Sequence, residues 1–281
     1  MKNFFPIFVL MLAMFSIQSG ASLAKMLFPI VGSIGTTTLR LFFATLILGL
    51  FWRPWRTTIL RKEIKLLVYY GMSLGFMNFL FYLAIERIPL GIAVAIEFIG
   101  PLTLAVMSSK KLLDYLWALL AAIGILLILP IAELSSPIDP VGILFAFGAA
   151  ICWALYIISG QKAGKHLSAG VVTSYGMLIA TICVLPFGII SSGPALLNFS
   201  LLPLALGVAL FSSAIPYSLE MYALKNMPRK EFGILMSLEP AFAAMSGFFF
   251  LHESLNIVQW MAIVLIMVSS VGVSLTQGGS K

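Results

Sequence analysis

Charge is scarce in this sequence. Ten acidic and seventeen basic residues make up 10% of its 281 positions, where a soluble domain carries nearer ~25%. A chain this poor in charge and 61% hydrophobic, with mean hydropathy +1.08, reads as an integral membrane protein. Cysteine is almost missing too. Cys152 and Cys183 both lie inside apolar runs, which excludes a disulfide framework and a cysteine metal site. His166 and His252 stand far apart at the edges of apolar runs, so no metal centre is expected. No nucleophile–base set appears, and an enzyme is not expected. There is no G-x-x-x-x-G-K-[ST], hence no P-loop. Uphill work would have to draw on an ion gradient, and neither a cofactor nor an ATPase subunit is implied. The net charge of +7 would suit nucleic acid, but the basic residues fill short gaps between apolar runs. There they act as topology signals, so nucleic acid is not an expected partner.

What the chain does contain is long apolar runs. A helical span needs about 20 residues, and ten segments qualify: 4–24, 35–52, 64–85, 88–109, 112–131, 141–161, 169–190, 200–223, 231–251 and 255–275. The first resembles a signal peptide, with Lys2, an apolar stretch and small residues Ser22 and Ala24. The sixth span holds the same place in the second half, however, so the first is read as a span. An N-terminus inside the cell puts Lys2, Arg53, Arg56, Arg61, Lys62, Lys65, Lys110, Lys111, Lys162, Lys165, Lys225, Arg229, Lys230 and Lys281 on the cytoplasmic side. Only Lys25 and Arg87 then lie outside. The positive-inside rule therefore places both termini in the cytoplasm.

The two halves repeat. Ile88–Ser109 reads IPLGIAVAIEFIGPLTLAVMSS and Met227–Gly247 reads MPRKEFGILMSLEPAFAAMSG. Pro89 and Pro101 match Pro228 and Pro240 at one offset of 139 residues. Five spans per half is an odd number, so the second repeat, 135–281, is expected to run upside down relative to the first, 1–134. That is the inverted repeat of many secondary transporters. Each copy carries a glutamate, Glu97 or Glu239, roughly 12–14 Å into a ~30 Å core. At the common offset they fall one turn apart on one helical face. Pro101 and Pro240 deprive the carbonyls of Glu97 and Met236 of their helical donors.

An acid at bilayer depth is costly unless it faces protein, a partner or water. Glu97 and Glu239 are therefore the candidates for proton coupling, with hydrogen-bonded packing acids as the plainer reading. Glu220, in span 8, is either a cavity acid or a surface ion pair with Lys225 or Arg229. Arg40, in span 2, either faces the buried acids or a substrate carboxylate, which its fork matches, or snorkels to the outer interface. Gln18, Asn78, Tyr82, Trp153, Tyr156 and Tyr217 complete a polar lining for a small cavity. Asn78 and Tyr217 are themselves 139 residues apart. The Gly71–Gly75 pair suits close helix contact.

At these residues the sequence resembles the drug/metabolite transporter superfamily, whose members carry two EamA-type five-helix repeats. The likeness is clearest at SIQSGASLAK (16–25), YGMSLGFMNFLFYLAIERIPLGIAVAIEFIGPL (70–102), CWALYIISGQKAG (152–164) and IPYSLEMYALKNMPRKEFGILMSLEPAFAAMSG (215–247). The resemblance implies an all-α protein of ten transmembrane helices around a central cavity. It implies alternating access in the bacterial inner membrane and export of small amino acids of the threonine/homoserine kind, driven by protons. A cationic drug or another metabolite as cargo, or an uncoupled facilitator, fits the same fold. One departure stands out: where the superfamily usually ends span 9 on FLGE, this chain has FLHE, with His252 in place of glycine.

Overall fold

The computed structural model describes residues 4–24, 26–88, 90–108, 111–128, 139–239, 241–242 and 256–276. These residues are helical or in turns, with no strand among them. In chain order the helices are α1 (Phe5–Ala24), α2 (Phe28–Trp52), α3 (Arg61–Ile85), α4 (Leu90–Glu97), α5 (Ile99–Met107) and α6 (Leu112–Ile128). They continue with α7 (Pro140–Gly164), α8 (Ala169–Ser192), α9 (Leu202–Ala209), α10 (Ile215–Asn226), α11 (Arg229–Leu235) and α12 (Ile257–Thr276). Five helical stretches are long and apolar enough to cross a bilayer: 28–52, 61–85, 140–164, 169–197 and 199–226. Shorter apolar helices cover 5–17, 112–127 and 260–269. The FLHE stretch lies outside the described residues.

The interruptions follow the prolines. Pro101 has no N–H for the Glu97 carbonyl, and α4 gives way to α5 at Phe98, which keeps near-helical angles (φ −63, ψ −17). The second copy turns at Met236–Ser237 before a further helical stretch, as Pro240 requires. These are kinks, not long unwound segments. A third interruption comes from Pro216, which cannot donate to the Ser212 carbonyl. Between α9 and α10 the chain widens into a π-helical turn, Leu210–Ala214, of the kind often found at functional sites. The widened turn frees the Phe211 carbonyl to accept the Ser16 hydroxyl at 2.6 Å. In α2, Gly32 sits at φ 69 and ψ 178, a conformation open to glycine. It sets the first turn, Phe28–Val31, at an angle to the rest of the helix.

Lipid gives no hydrophobic reward for pairing helices, so close van der Waals fit and interhelical hydrogen bonds must hold them. α3 packs on α7 and α8, α2 on α8, α1 on α10, α5 on α11 and α6 on α12. Gly71 and Gly75 of α3 meet Ile179 and Ala180 of α8, which is the close contact expected of that pair. The main core is built from Leu41, Tyr70, Leu74, Tyr156, Met177, Met221 and Phe232, among others. The opposite helix faces present Leu50, Phe51, Leu144, Ile182 and Ile190 outward, a side-chain set that suits hydrocarbon.

Polar caps fix the ends. The Asp139 carboxylate accepts the Val141 N–H at 2.8 Å in front of Pro140 and pairs with Arg87 at 3.0 Å. The Val141 N–H, helped by Arg87, holds the Asp139 carboxyl below the usual carboxylate range. A depressed pKa adds stability above that range and loses it as pH falls through the lowered value. Asp139→Ala is therefore expected to lower the melting temperature at neutral pH, with the difference closing in strong acid. Asp139→Asn, which still caps, should sit between the two in the same melts. At another helix start, Lys230 of α11 pairs with the buried Asp114 of α6 at 2.9 Å.

Candidate functional site

Arg40 is the centre from which the site is built. It lies three turns into α2 with only 5% of its surface exposed, so it does not snorkel. Its Nη1 donates to the Ser212 hydroxyl at 3.0 Å, and its Nη2 donates to the Asn78 side-chain carbonyl. The guanidinium stands over the Tyr82 ring, 5.4 Å from its centre. Phe28 also packs edge-on against that tyrosine, with ring centres 5.9 Å apart. The Arg40 Nε is buried without a hydrogen-bond partner. A buried cation that keeps one donor unpaired beside an aromatic face can receive a carboxylate.

Asn78 carries the network onward. Its amide donates to the Leu74 carbonyl at 2.8 Å and to the Tyr217 hydroxyl at 3.1 Å. Tyr217 thus joins α3 to α10, and its phenol lies within electrostatic reach of Arg40, Glu220 and Glu97. Its ring also meets Tyr156 of α7 edge-on, with centres 6.1 Å apart. The Tyr156 hydroxyl donates to Glu220 Oε2 at 3.1 Å. Glu220 therefore does not form the surface ion pair with Lys225, whose ammonium instead donates to the Leu167 carbonyl.

Glu239 lies within electrostatic reach of both other acids. Glu97, buried at the end of α4, feels the charge of Glu239, and Glu239 is also the charge that Glu220 feels. Glu239 is half-buried. Trp153 lies against the kink beside Glu97, where its ring meets Phe98 edge-on at 6.3 Å. Arg40, Glu97 and Glu220 thus share one neighbourhood around Tyr217, and Glu239 acts on both acids.

Arg40, Asn78, Tyr82, Glu97, Trp153, Tyr156, Tyr217, Glu220 and Glu239 are brought together. Gln18 lies on α1, but its side chain is outside the described residues. One contributor escaped the sequence reading, Ser212, which accepts from Arg40; Tyr70, without a sequence signal, stacks on Tyr156. Pro216 was the available signal for Ser212, since the carbonyl it orphans is that residue's own. A separate cavity of about 670 Å³ opens between α2, α8 and residues 193–202. Its lining, including Phe42, Leu185, Leu197 and Phe199, carries no charge. It offers a zwitterion no ionic partner.

The sequence pattern of the EamA-like transporter family matches residues 140–275. The chain is 50% identical over 271 residues to the threonine/homoserine exporter RhtA of Salmonella typhimurium, covering 96% of this chain and 92% of that one. It is 49% identical over 276 residues to the exporter of the same name from Escherichia coli K12, covering 98% and 93%. An uncharacterized transporter of Archaeoglobus fulgidus is 25% identical over 84% of each chain. A solved crystal structure at 14% identity superposes with a TM-score of 0.78 over 99% of this chain and all of its own, a likeness of fold. Buried polar groups gathered between apolar helices, with near-complete alignment to named exporters, lead to one conclusion: this chain belongs to the EamA-like transporter family of the drug/metabolite transporter superfamily.

Proposed function

We propose that the protein exports threonine, homoserine and similar small amino acids across the bacterial inner membrane, by alternating access and in exchange for protons. The observation that carries this reading is the placement of Arg40, with its spare Nε, in the same buried neighbourhood as Glu97 and Glu239. A free amino acid carries one charge of each sign. Arg40 takes the carboxylate, and the acids take the ammonium. A proton that neutralises an acid from outside removes the ammonium's partner, which is how proton entry would release cargo. Tyr82, Asn78, Trp153 and Tyr217 form the walls.

The architecture proposed is ten spans in two inverted repeats, 1–134 and 135–281, with both termini in the cytoplasm. Several packings favour it. At the 139-residue offset α2 corresponds to α8 and α6 to α12, and these counterparts pack on each other. Asn78 and Tyr217, 139 residues apart, bond to one another. A two-fold axis in the membrane plane brings equivalent elements together in this way. The acids that the repeat holds one turn apart then approach each other near that axis.

The test is a counterflow panel of labelled amino acids in proteoliposomes. Threonine and homoserine should exchange, while lysine, glutamate and cationic dyes should not. Resistance to homoserine on overexpression, without resistance to ethidium, is the matching result in cells. Exchange of dyes in place of amino acids would transfer the reading to a cationic-drug exporter. Flux indifferent to an imposed proton gradient would leave an uncoupled facilitator.

A further inference from the structure

Glu220 sits one turn beyond Tyr217 in α10, and the surrounding helices bring hydroxyls to it. Tyr156 of α7 donates to it. Tyr70 of α3 stacks on Tyr156 with ring centres 4.9 Å apart, and its phenol lies beside Thr173 of α8, within electrostatic reach of Glu220 and Tyr217. Beyond α11, Glu239 is the other charge that Glu220 feels. The helix α1, which also packs on α10, carries no titratable side chain.

Tyr70 is built tightly. Its ring fills the space where Cβ atoms on Gly160 of α7 and Gly176 of α8 would fall. Yet its hydroxyl is completely buried, and although the hydroxyls of Tyr156 and Thr173 stand beside it, no hydrogen bond of good geometry satisfies it. A phenylalanine would fill the same slot without leaving a polar group unpaired, which is costly in a buried place. An ionised carboxylate accepts several donors, whereas a protonated one keeps a hydrogen of its own to donate. One donor to Glu220 with a second held in reserve is the arrangement expected around a protonated acid.

We propose that Glu220, Tyr156 and Tyr70 form a proton-holding site separate from the substrate's own contacts. In it the Tyr70 hydroxyl becomes the second donor to Glu220 once that carboxyl has lost its proton. The site rests on the proton coupling proposed above. The O–H bond of the Glu220 carboxyl breaks, its proton passes to water on the cytoplasmic side, and the carboxylate accepts hydrogen bonds from the Tyr156 and Tyr70 hydroxyls. Neither tyrosine ionises. Tyr70 acts only through Glu220 and is a positioning residue.

Tyr70→Phe keeps the ring and removes the donor. The variant and the wild type are reconstituted and assayed with labelled threonine in two ways: counterflow without a gradient, and transport driven by an imposed pH difference. Exchange of substrate for substrate does not require Glu220 to discharge its proton, but coupled transport requires it every cycle. Counterflow should stay within about twofold of wild type. Gradient-driven flux should fall about tenfold or more, as the loss of a hydrogen bond to a charged group implies. Unchanged gradient-driven flux would overturn the proposal. So would a parallel fall in both assays, which would make Tyr70 a structural or substrate-binding residue. Wild-type flux indifferent to the gradient would overturn proton coupling itself, and the wild-type assay reads that before the variant is compared.

Discussion

Arg40→Lys should cut threonine counterflow by about a hundredfold, although the charge is retained. The guanidinium makes a fork to Ser212 and Asn78 from one end and holds Nε in reserve. An ammonium is a point charge that reaches one of these partners at a time. Each charge-assisted bond is worth roughly 1.5–3 kcal/mol, and about 1.4 kcal/mol is tenfold, so the substrate carboxylate loses most of its hold. Arg40→Met is the more telling partner experiment. An apolar side chain of similar length relieves the cost of burying a cation, and Tyr217 and Asn78 still satisfy each other. The methionine variant should melt near the wild-type temperature and transport nothing measurable. Wild-type counterflow in Arg40→Lys would remove the guanidinium from carboxylate binding.

Glu97→Gln and Glu239→Gln should each abolish gradient-driven export while inserting into the membrane as wild type does. Glutamine keeps the size and the hydrogen bonding of the acid but cannot ionise, so neither an ammonium partner nor a proton carrier remains. Because the two carboxyls feel each other's charge, each substitution also changes the conditions under which its neighbour titrates. The double variant should accordingly be no worse than either single one in flux assays. Export at the wild-type rate in both single variants would show that the acids are packing groups.

That the acids stand beside helix interruptions was legible from spacing alone. Two prolines at a common offset, each about a turn or less past a glutamate, set the helix interruptions, because a missing N–H is a local property. The membrane class was legible for the same reason, since a run of about 20 apolar residues needs no partner to be recognised. Partners across helices were not legible. Arg40 had two readings of similar merit, and only the packing of α2 against the π-helical turn decided between them by setting Ser212 and Asn78 around the guanidinium. Glu220 likewise had basic neighbours in sequence, yet α7 supplies a tyrosine that takes its carboxyl first. Tyr70 carried no motif at all; its meaning comes from two glycines on other helices and a stacked ring. The sequence by itself determined that this chain is built of apolar, membrane-capable helices, interrupted near prolines that stand close to glutamates. Tertiary structure decided which polar groups meet, because in lipid a buried polar group must find its partner on whichever helix packing brings within reach.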